Sequence, residues 1–172
     1  MREFFSNVLG FEALPFPTKT VTFPSPFGHV GLVSFVQNGG LLREFIHGGP
    51  VTAVSVNVSV GRALTGSEDS TAKLWNIRNA ELIREFRYRN QVSLVTLSQS
   101  GALALIVPSN EEAELWNITS RQKVANLKTA KFRLYSASFV GDQRLLAGTT
   151  HRNIFEFDTQ TGKKTQTWQI GT

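Results

Sequence analysis

The chain repeats itself at a constant step of 41 residues. Trp75 leads by that step to Trp116 and on to Phe157. Phe86 leads to Leu127 and Trp168, and backwards to Phe45 and Phe4. The tripeptide Arg84-Glu85-Phe86 recurs as Arg43-Glu44-Phe45 and as Arg2-Glu3-Phe4. Leu64 maps onto Leu105 and Leu146, and Gly66 onto Val107 and Gly148. Within the best-formed repeat, Val54, Val56 and Val58 alternate along a first strand, and Gly61 marks a turn. Ala63–Gly66, Ala72–Ile77 and Leu82–Phe86 then follow as three more short apolar pieces, the acidic Glu68-Asp69 turning between the first two. No helical periodicity intervenes, so each step reads as a four-stranded antiparallel meander. Such a sheet cannot bury both faces by itself and must stack on its neighbours.

A step of about 40–45 residues with four strands in each predicts the blades of a propeller. The best repeat also carries Leu64-Thr65-Gly66-Ser67-Glu68-Asp69-Ser70-Thr71-Ala72-Lys73-Leu74-Trp75-Asn76, with His47 upstream. This stretch resembles the WD-repeat family, whose pattern is a Gly-His pair, a Ser/Thr, an Asp six residues before the Trp, and a closing Trp-Asp. Ile46 stands where the family has Gly, and Asn76 where it has the final Asp. The resemblance is specific in 46–86, weaker in 87–127 and 128–168, and faint before 45. The fold class expected is therefore all-β: a WD-type β-propeller of about four blades, as a partial array or half-ring. The chain would be a single propeller-type domain over 1–172, with a degenerate first blade (1–45) and blades at 46–86, 87–127 and 128–168.

The first segment has its own character. It is rich in Phe and Pro, and Pro24 and Pro26 cannot donate to a ladder, so an edge, bulge or turn is expected there. The register places a degenerate strand at Thr20–Pro24 and further strands at Gly31–Phe35 and Leu41–Phe45, joined through Gly39-Gly40. Hydrophobic content of 41% with 18% charged residues suits a core-forming chain. With no cysteine, disulfides and thiolate chemistry are excluded. No apolar run approaches the ~18 residues of a membrane span. Met1–Gly10 lacks the basic start and apolar core of a secretory signal, so an intracellular place, cytoplasm or nucleus, is expected.

The resemblance assigns His47, Thr65, Asp69 and Trp75 to a hydrogen-bond network. A His, a hydroxyl and a carboxylate also spell a hydrolase triad, which needs the hydroxyl to reach substrate. The Trp six residues beyond the Asp has no use in a triad, whereas in the network its buried N–H needs an acceptor. The structural reading is preferred, no catalytic residue is assigned, and an enzyme is not expected. Along the chain the His position becomes Tyr88 and Thr129, and the Asp position becomes Asn110 and His151. Tyr88 and Asn110 would offer a hydroxyl and an amide where the best repeat has imidazole and carboxylate. Phe157 has no donor, so the last repeat cannot build the network. Lys73 becomes Glu114 and Phe155, a change that the pattern does not account for. His29, His47 and His151 lie far apart, so neither a metal nor another cofactor is expected.

Basic runs gather at Arg84, Arg87 and Arg89, and at Arg121, Lys123, Lys128, Lys131 and Arg133, within a formal charge of +5. They permit a second reading as a binder of nucleic acid or anionic lipid, although scattered charge more often marks solvated edges. The resemblance implies a protein–protein scaffold, with the loops before the first strand and between the second and third on one face. On that face Tyr88, Arg89, Glu111, Lys128, Lys131 and Arg152 are the candidate partner-binding residues. The decayed repeats also fit a segment of a longer array or larger signalling protein. Arg2-Glu3-Phe4 repeats the fourth strand of a blade otherwise missing, so self-association or pairing with another propeller segment is expected.

Overall fold

The structure, a computed structural model, describes residues 32–37, 40–129 and 132–171, with side chains from Phe45 onward. Among these described residues fourteen strands follow one another: β1 (Leu32–Gln37), β2 (Gly40–Ile46), β3 (Val51–Asn57), β4 (Arg62–Ser67), β5 (Thr71–Asn76), β6 (Glu81–Arg87) and β7 (Val92–Leu97). Then come β8 (Leu103–Pro108), β9 (Ala113–Asn117), β10 (Gln122–Leu127), β11 (Leu134–Val140), β12 (Arg144–Thr149), β13 (Asn153–Asp158) and β14 (Lys164–Gln169). They form a two-stranded sheet β1–β2 and three four-stranded meanders, β3–β6, β7–β10 and β11–β14. Every pairing is antiparallel. The fold is all-β, and these strands lie within a few residues of where alternation and turn residues put them. The expected strand at Thr20–Pro24, the Arg2-Glu3-Phe4 repeat and Lys131 lie outside the described residues.

Turn chemistry sets the hairpins. Gly61 and Gly101 take φ of +67° and +69° where β3 turns into β4 and β7 into β8, a left-handed corner that glycine enters without a Cβ clash. The corresponding loop of the last sheet, between Val140 and Arg144, is one residue shorter. Its strand β11 therefore runs one residue out of the 41-residue step. Ala53 pairs with Gly66 and Leu94 with Val107, but Ser136, not Tyr135, pairs with Gly148. Tyr135 becomes the bulged residue and is 72% exposed.

Alternation along each second strand divides the core between neighbouring sheets. Ala63 of β4 packs back on Phe45, Val51 and Trp75. Leu64, with Ala72, Leu74 and Phe86, packs forward on Val92, Val95, Leu97, Ala104 and Ile106. Leu105, Leu115 and Leu127 pack forward in turn on Leu134, Leu145, Phe155 and Phe157. Strand β8 is buried along its whole length, as expected of a sheet covered on both faces. The sheets are thus stacked in chain order, face on face, as propeller blades are.

Candidate functional site

The loops joining β2 to β3 and β4 to β5 carry one polar cluster. His47 follows β2, Thr65 sits mid-β4, Asp69 lies in the β4–β5 turn and Trp75 in β5. His47 Nδ1 is 3.0 Å from Asp69 Oδ2, and His47 Nε2 is 2.6 Å from Thr65 Oγ1. Trp75 Nε1–H donates to Thr65 Oγ1 over 2.8 Å. Burial holds the imidazole below its ordinary value of 6.5 despite the opposing pull of Asp69, so His47 is neutral at pH 7. Its single proton then belongs on Nδ1, facing the carboxylate, a tautomer assigned from its partners. One direction of donation results: the indole N–H to the threonine oxygen, the threonine O–H to Nε2, and Nδ1–H to Asp69.

Asp69 is held just as firmly. It accepts the Gly48 N–H at 2.7 Å on Oδ2, and the Thr71 N–H at 2.9 Å and hydroxyl at 2.6 Å on Oδ1. Burial pushes this carboxyl up, but the Thr71 and Gly48 bonds and the imidazole together hold it below the usual carboxylate range. Thr65 has 0% exposure, so its hydroxyl cannot meet a substrate while this geometry stands. Among the described residues no buried side-chain nitrogen or oxygen lacks a partner.

The next sheet differs from expectation. Tyr88 does not join Asn110. Its hydroxyl donates to Glu114 Oε2 at 2.9 Å, and Trp116 Nε1–H donates to the same oxygen at 2.8 Å. Lys123 closes the group with an ion pair to Glu114 Oε1 at 2.9 Å. Burial, and then the Glu114 carboxylate, push the Tyr88 phenol up. The reason lies one strand inward, where Ile106 stands in place of Thr65 and offers no acceptor. Glu114 supplies it, which explains the Lys73-to-Glu114 change. Asn110 occupies the left-handed corner of its own turn, at φ +61°, a conformation that Asn tolerates. From there its amide oxygen accepts from Arg133 across the loop. In the last sheet Phe132 packs against His151 at 5.0 Å and Phe155 at 5.8 Å, an apolar replacement for the polar cluster.

The candidate partner-binding residues fall on loops that touch one another in series. Glu111 Oε1 accepts the backbone N–H of Arg89 (3.1 Å) and of Asn90 (3.0 Å) and the Asn90 amide (3.2 Å). Asn110 meets Arg133, and Phe132 meets His151, next to Arg152. Two open clefts lie along this rim. One, of about 530 Å³, is lined by Arg84, Tyr88, Arg89, Glu111 and Trp116 among others. The other, of about 770 Å³, is lined by Glu111, Glu112, Thr129, Phe132 and Arg133 among others. Tyr88 and Glu111 are engaged within the chain; Glu111, Arg89, Lys128 and Arg152 are exposed, with Arg152 Nη1–H donating to the Gly171 carbonyl at 3.5 Å. Several basic residues are also engaged. Arg87 pairs with Glu85, and the Arg84 guanidinium lies 4.6 Å from the Phe86 ring and 4.5 Å from the Trp116 ring.

Known structures with this arrangement exist. The chain superposes on the β-propeller domain of Cps50 (Swd1) from Myceliophteria thermophila with a TM-score of 0.73 at 19% identity, over 81% of this chain and 49% of that one. The fold is that of a β-propeller. The computationally designed Ika8 protein matches with a TM-score of 0.66 at 18% identity, over 80% of this chain and 43% of the design. The chain thus spans about half the length of the structures it matches. No family model matches the sequence, and no curated protein does. Among the described residues no helix is long and apolar enough to cross a membrane.

Proposed function

We propose that the chain is a non-enzymatic WD-repeat scaffold for protein–protein contact. It would be a segment of a longer array or of a larger signalling protein, working inside the cell. In this reading the blades are 46–86, 87–127 and 128–168 after a degenerate 1–45, and His47, Thr65, Asp69 and Trp75 serve structure. The observation that carries it is the continuous rim of loops with its two mixed polar and aromatic clefts. Loops fixed on rigid sheets commonly recognise partners. Tyr88, Arg89, Glu111, Lys128, Lys131 and Arg152 are assigned to that rim, Lys131 by its place in sequence.

The test is affinity capture from cell extract with single alanine variants. Arg89→Ala, Lys128→Ala and Arg152→Ala should lower recovery of a bound protein and leave melting unchanged. If only Asn79→Ala or Gln160→Ala, on the opposite loops, lowered it, the assignment of the face would be wrong. A capture that collapsed steeply with salt and depended on nucleic acid would favour the anion-binding alternative instead.

A further inference from the structure

In the first four-stranded sheet one carboxylate has two tasks. Asp69 accepts the Gly48 N–H, which fixes the loop between β2 and β3, and it receives the His47 Nδ1–H that ends the line from Trp75. By the 41-residue step Asp69 becomes Asn110 and Gly48 becomes Arg89. Asn110 performs neither task, because its amide oxygen accepts from Arg133. In the second sheet the tasks are divided. Glu114 takes the tyrosine and tryptophan donors. Glu111 takes the loop, for its Oε1 accepts the Arg89 N–H, the counterpart of the Gly48 N–H. The shift goes with the shape of the turn. Its left-handed corner falls at Ser70 between β4 and β5, but at Asn110, one residue early by the step, between β8 and β9. The carboxylate that reaches back to the preceding loop now follows the corner instead of leading into it.

The loop from Tyr88 to Gln91 is anchored at both ends. The Tyr88 N–H donates to the Ser70 carbonyl at 2.9 Å, and the Gln91 carbonyl accepts the Ser109 N–H at 2.8 Å. Between these anchors the Arg89 N–H, the Asn90 N–H and the Asn90 side-chain amide converge on Glu111 Oε1, at 3.1, 3.0 and 3.2 Å. Successive N–H groups turned to one anionic oxygen fix the path of the backbone there. The Arg89 side chain points away from this arrangement. It is exposed, and its guanidinium enters no hydrogen bond or ion pair among the described residues.

We propose that Glu111 is a positioning residue of the rim: it holds the backbone at Arg89 and Asn90 so that the Arg89 guanidinium is presented to a partner, and it does not meet that partner through its own charge. This rests on the reading of the rim as the partner-binding face, and it divides the rim residues by role. A backbone set before contact spares part of the ordering cost of binding. One oxygen accepts all three bonds, so an amide oxygen in its place would serve as well. Glutamine therefore separates the two roles, since it keeps the acceptor and removes the charge.

Glu111→Ala and Glu111→Gln in the full chain test this in two stages. In the purified protein, amide exchange at Arg89 and Asn90 and trypsin cleavage after Arg89 should each quicken several-fold in Glu111→Ala. Both should stay near the wild-type rate in Glu111→Gln. Melting should change little in either variant, because the three bonds are exposed. In affinity capture, the proteins retained by the wild type should be lost from Glu111→Ala as fully as from Arg89→Ala and kept by Glu111→Gln. Exchange and cleavage unchanged in Glu111→Ala would overturn the proposal, as would capture that survives in that variant. A Glu111→Gln chain that loses capture as fully as the alanine variant would also overturn it, because the charge would then be the contact. If the wild type retains no protein, the rim reading falls, and the exchange and cleavage rates alone decide whether Glu111 positions the loop.

Discussion

Thr65 and Ile106 occupy equivalent positions, and the difference between them reassigns every polar atom around the neighbouring tryptophan. With threonine, the indole N–H reaches an acceptor on β4, and His47 and Asp69 complete the line. With isoleucine, Glu114 must serve Trp116 and Tyr88 together. Asp69→Ala should cost about 1–3 kcal/mol in a denaturant titration, because His47 and two backbone N–H groups lose their acceptor. In the next sheet Glu114→Ala should cost more than Asn110→Ala, whose exposed amide faces a single arginine; the reverse order would sink this account. A pH dependence follows from His47. Its folded pKa lies below the unfolded value of about 6.5, so between the two the unfolded chain binds more protons. Stability is present above that value and declines as pH falls below it, and Asp69 adds a further loss in the carboxylate range. Melting temperature should therefore drop on acidification from pH 7 to pH 5, and His47→Gln should flatten that part of the profile. The members of the polar cluster were legible in the sequence because their spacing is rigidly tied to the turn. Glu114 was not, because its role depends on what β8 lacks, and an absent acceptor leaves no mark in the glutamate's own surroundings.

At the level of strands, most of the meander was legible because period-two alternation and turn residues agree in each repeat. The exception is β11, where a shorter loop slips the strand by one residue. A one-residue slip exchanges faces, so Tyr135, in step with the partly buried Leu94, is turned out as a bulge and Ser136 takes the paired position. Simple counting at a constant step could not reveal this, because the second and third strands remain in step. Close approach between sheets is the other element-scale constraint. Gly66→Ala should destabilise by about 1–3 kcal/mol, the usual cost of overpacking, since its new methyl would press on Val92 and Val95. Gly148→Ala, whose new methyl would meet only the rotatable Ser136 hydroxyl among the described residues, should leave melting almost unchanged. A chemical melt of the two variants side by side checks the contrast, and equal losses would mean that the two positions are not equivalent.

Across the whole molecule, protection is graded from the inside of the array to its last strand. All six residues of β8 are buried and all six of β14 are exposed. Amide exchange should accordingly be slowest in β8 and fastest in β14; uniform exchange across the three large sheets would contradict this gradient. The same gradient is carried by the three tryptophans, which fall one to each four-stranded sheet. Trp75 is buried and hydrogen-bonded to a neutral oxygen, Trp116 is partly buried between an arginine and a carboxylate, and Trp168 meets water. Their emission is therefore not one signal but three, with Trp168 already at the long-wavelength end before any unfolding begins. Detachment of the last sheet would pass almost unseen in intrinsic fluorescence, and the red shift that an optical titration records would report the loss of the two inner sheets.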